Sequence, residues 1–216
     1  MKIKWLGHAS FLITSDNGVK IITDPYEPIM GMNYEPINES ADIVTVSHGH
    51  GDHNNVAAVQ GNPQVIDKSM PVEVKGIKFN GIDTFHDASG GNERGANVIY
   101  CFEVDGIKVC HLGDLGHMLS DDQVSAIGKV DILMAPVGGN FTIDAGTADM
   151  VIQKLKPAVM IPMHFCNDRC PDFPVAGVES FTDGKTNVTV LDTSEIEYKA
   201  GELPGSTSIV VMKPAK

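Results

Sequence analysis

The chain has 216 residues, 42% of them hydrophobic, which suits one domain with a buried core of its own. Its net charge is −12, and Arg94 and Arg169 are its only arginines, so composition argues against long RNA or DNA as its substrate. No apolar run approaches membrane-spanning length, and 4 cysteines in a chain this long do not make a disulfide framework.

The opening "MKIKWLGHASFLI" carries basic and then apolar residues, but His8 interrupts it and no small-residue cleavage site follows. It reads as a first strand, and the protein as cytoplasmic. "IKWLGHASFLITS" and "VKIITDPY" flank "DNG", a hairpin signal. Residues 28–40, with Pro28, Gly31 and Pro36, read as a loop. "ADIVTV" (41–46) is apolar and β-branched, the pattern of a buried strand. It runs directly into "SHGHGDHNNV" (47–56), where Gly49 and Gly51 are expected to let the backbone turn sharply. "NVAAVQ" (55–60) reads as a short helix.

Strands and hairpins follow: "QVIDK" (64–68), then "VEVKGIKFNGIDTFH" (72–86) turning at Lys75-Gly76, then "ANVIYCFEVDGIKVCHLGD" (96–114) turning at Asp105-Gly106. "SDDQVSAIG" (120–128) is a helix capped by Ser120. "VDILMAPVGG" (130–139) is a buried strand, "DAGTADMVIQKLK" (144–156) a helix stopped by Pro157, and "AVMIPMHF" (158–165) another buried strand. Cys166 and Cys170 read as free thiols in a loop. Hairpins early and strands alternating with helices late suggest a mixed α/β sandwich with no internal boundary, one domain over 1–216.

The chain has 8 histidines, most of them where a strand gives way to a loop, so loops at one sheet edge can gather them. His48 and His50, two apart, point the same way in extended chain; Asp52 and His53, beyond Gly51, can face a second point. Neutral imidazole and carboxylate suit zinc, manganese, iron or nickel. A cluster like this without metal would accumulate positive charge as it protonates.

"HGHGDH" resembles the signature of the metallo-β-lactamase-fold hydrolases, and further motifs follow in the same order: "DTFHDASGG", "HLGD" and "IPMHF". "WLGHASFLI" and "IITDP" resemble the branch that includes ascorbate-6-phosphate lactonase. The resemblance spans residues 5 to about 165. It implies a four-layer αββα sandwich with two divalent ions, zinc foremost, at one sheet edge. One ion would take His48, His50 and His86, the other Asp52, His53 and His164, with Asp114 bridging. Asp24 and His111 would support the ligands from behind. Asp52 and His8 are the candidates for catalytic proton handling.

Branches of the family separate on what this chain carries. Asp114 stands where the commonest true β-lactamases place cysteine, and His50 where diiron oxygen reductases place glutamate. About fifty residues after His164 are too few for the helical domain of glyoxalase II, and no basic segment matches the RNA-binding arm of ribonuclease Z. The expectation is a hydrolase that activates hydroxide at its metals and cleaves a small anionic ester, phosphodiester or lactone, without long nucleic acid or membrane as partner. The alternative is a metal-binding scaffold or regulatory module without catalysis. In "HDASGGNERGAN" (86–97), Arg94 offers a planar fork to an anionic group, with Asn97 as a second candidate. The competing reading is a surface loop in which Arg94 pairs with Glu93 or Asp87.

Overall fold

The computed structural model describes residues 1–29 and 31–216, so Met30, within the loop read over 28–40, lies outside the described residues. In chain order the first strands are β1 (Lys2–Gly7), β2 (Ser10–Thr14), β3 (Lys20–Thr23), β4 (Ile43–Thr45) and β5 (Gln64–Ile66). Then come β6 (Val72–Val74), β7 (Ile77–Phe85), β8 (Ala96–Val104) and β9 (Ile107–His111). Helix α1 (Asp121–Ile127), β10 (Ile132–Pro136), α2 (Ala145–Leu155) and β11 (Val159–Met163) follow. The last part holds α3 (Glu179–Thr182), β12 (Val188–Val190), β13 (Glu195–Glu197) and β14 (Ser208–Val211).

The strands form two mixed sheets. One is 6-stranded, in the order β13-β1-β2-β3-β4-β5; the other is 8-stranded, in the order β12-β14-β11-β10-β9-β8-β7-β6. β7 alternates buried and exposed residues over much of its length, as a strand with one wet face must, whereas β10 and β11 are buried at every position. Trp5, Phe11 and Ile13 of the first sheet share one core with Phe79, Tyr100 and Met134 of the second. This is the α/β sandwich expected, with few helices. Helix α2 sends Ala148, Val151 and Leu155 into that core. A smaller core of Leu6, Ile22 and Val44 is closed by Tyr26, Tyr34 and Ile37, so loop rather than helix covers that part of the six-stranded sheet.

Local signals explain most boundaries. Ser120 and Gln123 make a reciprocal capping box at the start of α1. Asp144 caps α2, accepting from the Thr147 amide at 2.8 Å, and Lys156 ends it in a left-handed turn before Pro157. The helix expected over 55–60 is a single 3-10 turn, Val56–Ala58; it buries no side chain and Asn55 gives it no cap. "IKWLGHASFLITS" is two strands rather than one. Gly7 (φ 137°) and His8 (φ 52°) reverse the chain between β1 and β2.

β3, β4 and β5 run parallel, as do β9, β10, β11 and β14. Their carboxyl ends, with the ends of β1 and β7, open onto one edge of the sandwich. In open α/β sheets, that is where ligands bind.

Candidate metal centre

Six strand ends deliver the side chains. His8 follows β1, Asp24 follows β3, Ser47 to His53 follow β4, His86 follows β7, Asp114 follows β9 and His164 follows β11. Three of these residues sit in the left-handed region without being glycine: His8 (φ 52°), Asp24 (φ 39°) and His164 (φ 51°). Such conformations persist only where surrounding contacts over-determine them. Here the His164 amide donates to the His8 carbonyl (3.3 Å) and the Asp24 amide to the Thr45 carbonyl (2.9 Å).

The histidines fall into two trios whose ligand atoms lie within 4.8 Å of one another: His48, His50 and His86, and His8, His53 and His164. Between them stands Asp114. Its Oδ2 is 3.2 Å from Nε2 of both His53 and His86, 3.3 Å from Nε2 of His164 and 4.0 Å from Nε2 of His48. Asp52 borders the second trio, with Oδ2 3.4 Å from His8 Nε2 and 3.9 Å from His53 Nε2. His8 thus lies among the ligand atoms of this trio and Asp52 at its border.

Asp24 is fully buried beneath the cluster. Its carboxylate accepts from His53 Nδ1 (3.0 Å), from the Ser47 amide (2.7 Å) and from the Ser47 hydroxyl (2.5 Å). The imidazole of His53 thus has Nδ1–H directed at Asp24, which fixes Nε2 as a lone pair aimed at the centre. That lone pair faces a carboxylate oxygen of Asp114 and the Nε2 of His8 (3.2 Å), so only a cation, whether proton or metal ion, can sit among them.

The electrostatics describe the same demand. Burial pushes His48 down to about 3 and His8 down to about 4, in both cases reinforced by a neighbouring imidazole. For His53 burial acts the same way, but the carboxylates of Asp114 and Asp24 outweigh it and raise its proton affinity well above the ordinary value. Burial would raise Asp114, yet the imidazoles of His164 and His53 hold it well below the usual carboxylate range. Asp114 Oδ1, His86 Nδ1 and His164 Nδ1 are buried without a hydrogen-bond partner among the described residues. Buried polar atoms are rarely left so. Nitrogen donors in two groups around a central carboxylate whose Oδ1 is unpaired are the donor set of a divalent-metal centre, and the residues present fit one.

The supporting residues divide differently from expectation. His111 is fully buried; Nε2 bonds the Ala9 carbonyl (2.8 Å) and Nδ1 accepts from the Gly113 amide (3.2 Å), so it ties the His8 turn to the Asp114 turn. Asn97, expected to touch substrate, does not reach the cavity. It is fully buried, giving Nδ2 to Thr84 Oγ1 (2.7 Å) and the Leu112 carbonyl (3.0 Å), while its Oδ1 accepts from the Asp114 amide (2.9 Å). It is the second residue of β8 and points inward. His117 takes the Phe85 amide (3.1 Å) and so braces the residue before His86. Gly49 and Gly51 have ordinary φ and open space around them, so neither is required by conformation. The glycines that matter are Gly113 (φ 55°), pressed against Asn97 and Ser47, and Gly116, pressed against the backbone of His86 and Asp87.

Arg94 lines the cavity over the cluster, a space of about 310 Å³, with Ile29, Phe141 and Phe173 as its apolar walls. Its guanidinium lies 5.7 Å from the Phe141 ring centre and 3.5 Å from Glu93 Oε2. Cys101 and Cys110 face each other across β8 and β9 with sulfurs 3.4 Å apart. All four cysteines are free. Sequence reasoning missed Ser47, Ile29, Phe141 and Phe173. Ser47 alone had a signal, since it lies between strand and first ligand; the others come from three separate loops that only the fold brings together.

The profile of the β-lactamase superfamily domain matches residues 2–164, three quarters of the chain. Among curated relatives, a UPF0173 metal-dependent hydrolase of Carboxydothermus hydrogenoformans is 32% identical over 194 residues, 76% of this chain and 84% of that protein. One from Thermococcus onnurineus is 28% identical over 193 residues, with the same shares covered. The crystal structure of a Thermotoga maritima protein, assigned to the Zn-dependent hydrolases of the metallo-β-lactamase superfamily, superimposes with a TM-score of 0.80 at 39% identity. It covers 98% of this chain and 97% of that one.

Proposed function

The chain belongs to the β-lactamase superfamily and within it to the UPF0173 metal-dependent hydrolases, and from that premise we propose a centre that holds two divalent ions and cleaves a small anionic ester, phosphodiester or lactone. His48, His50 and His86 would hold one ion; His53 and His164, with Asp52 or His8, the other; Asp114 would serve both. The observation that carries this reading is the convergence of four imidazole Nε2 atoms, from both trios, on the single Oδ2 of Asp114. When bound, divalent ions supply a Lewis acid for the carbonyl or phosphoryl oxygen and lower the pKa of water toward ~7.

The chain's own residues do the rest. Asp52 reaches the cavity and is placed to receive a proton at Oδ2, with His8 Nε2 buried 3.4 Å behind that oxygen. Asp24 and Ser47 lock the orientation of His53, and Asn97 and His111 lock the turn that presents Asp114. Phe173 packs edge-on against both His8 and His164, ring centres 5.7 Å apart in each case, and keeps bulk water from that side of the centre. Arg94 faces the anionic part of the substrate.

Elemental analysis after expression in metal-supplemented medium tests the reading. Two equivalents per chain are expected, with His48→Ala emptying one site and His164→Ala the other. Trace metal in the wild-type protein refutes it.

A further inference from the structure

Resting on the hydrolase reading above, we infer that the substrate pairs one anionic group with a flat apolar body, an aryl acid derivative in chemical class, and is not a polyhydroxylated sugar derivative. The walls of the cavity carry the argument. Ile29, Phe141 and Phe173 come from three different loops and meet over the cluster. The Phe141 and Phe173 rings stand 5.5 Å apart at 39°, an open angle against which a third ring can pack, and Ile29 is 40% exposed across from them. Among the described residues, Arg94 is the one wall side chain outside the cluster that can hydrogen-bond to a ligand. A sugar bound here would set the hydroxyls that face Ile29, Phe141 and Phe173 against hydrocarbon with nothing on that wall to pair them, a costly way to bind a polar group. A ring loses nothing there. About 310 Å³ sits at the small end of ligand pockets, room for one ring and its anionic substituent.

Arg94 is held ready for that substituent. The buried carboxylate of Asp87 accepts the backbone amides of Ser89, Gly91, Glu93 and Arg94 at 2.8–3.0 Å, so the loop that presents the guanidinium is built before any ligand arrives. Its partner Glu93 is 63% exposed and 3.5 Å away, a surface pair that water screens and an incoming anion can replace. The contact with Phe141 keeps the planar cation against the apolar wall, so ring and anion are read side by side.

The test is calorimetric titration of the metal-supplemented protein, its metal content measured beforehand, with phenylacetate, the hydroxylated acid gluconate, and neutral phenylacetamide. Phenylacetate is expected to bind at least tenfold more tightly than either. Phe141→Leu, which keeps the bulk and removes the flat face, lowers phenylacetate affinity at least threefold; Arg94→Ala removes the preference over phenylacetamide; neither changes metal content. Gluconate binding as tightly as phenylacetate, or phenylacetate binding untouched by both substitutions, overturns the inference. Turnover of aryl and sugar-derived esters, lactones and phosphodiesters is measured in parallel. If none is hydrolysed but the binding preferences hold, the hydrolase reading fails and the ligand class stands. If only sugar-derived substrates turn over, the hydrolase reading stands and this inference falls.

Discussion

Two cavities lie at opposite ends of the same parallel strands. The larger, about 600 Å³, is at the amino ends of β10, β11 and β14, lined by Lys129, Asp131, Lys156 and the turn before Thr207. The smaller, about 310 Å³, is at the carboxyl ends. In the larger one Asp131, Lys129 and Thr207 are spent on partners within the protein. Asp131 accepts from the Lys108 amide (2.9 Å) and pairs with Lys129 Nζ (2.8 Å), and Thr207 Oγ1 donates to the Pro157 carbonyl (2.6 Å). In the smaller one, buried nitrogen and oxygen atoms of His86, His164 and Asp114 are left without partners among the described residues. Volume therefore does not mark the functional end of this molecule. Unspent buried polarity marks it better: three of the five unpaired buried side-chain atoms among the described residues belong to His86, His164 and Asp114.

Matched carboxylate-to-amide substitutions at the two ends can break that contrast. Asp114→Asn should bring hydrolysis down to background, measured on whichever substrate the wild type cleaves, since the group both trios share loses its charge and one of its two oxygens. Asp24→Asn should act one step removed, weakening metal affinity by about 10- to 100-fold, because His53 loses the partner that sets its tautomer; a competitive metal titration reads this. Asp131→Asn should leave turnover within twofold and instead cost the fold about 1 kcal/mol in urea unfolding at neutral pH. If Asp131→Asn abolished activity and Asp114→Asn did not, the contrast would be wrong.

The last effect also has a pH signature. Burial would raise Asp131, but Lys129 and the Lys108 amide outweigh it, so its carboxyl lies below the ordinary ~3.9 in the folded protein. A depressed carboxyl contributes stability above the unfolded value and loses it as pH falls through the folded one. The gap between wild type and Asp131→Asn should therefore be full near neutrality and close below pH ~4 in unfolding curves taken across acid pH.

How much of this was legible in the sequence depends on how local each signal is. "SHGHGDHNNV" announces its chemistry because the ligands are contiguous and follow an apolar strand. Most elements from β3 to β11 were readable because turn residues punctuate them, as Lys75-Gly76 and Asp105-Gly106 do, whereas the reversal between β1 and β2 at Gly7 and His8 was not. Beyond Phe165 the signal fades. β12 and β13 are short and half exposed, yet β13 completes one sheet beside β1, and β14 sits between β11 and β12 in the other. Asn97 deceived because it borders a glycine-rich loop; the strand read over 96–114 includes it, but only the fold shows that its side chain turns inward. The left-handed backbone of His8 and His164 leaves no trace in composition, since tertiary contacts impose it.

Each histidine trio draws from both sheets. His48 and His50 follow β4 of the six-stranded sheet while His86 follows β7 of the eight-stranded one; His8 and His53 belong to the first and His164 to the second. An ion held by either trio is thus a rivet through the sandwich, and the two sheets cannot slide or separate without breaking coordination. Uptake of the ion and integrity of the fold become one linked equilibrium, so a chelator should lower the melting temperature in proportion to the logarithm of free metal. A protein built this way reports its own metal supply through how long it survives heat.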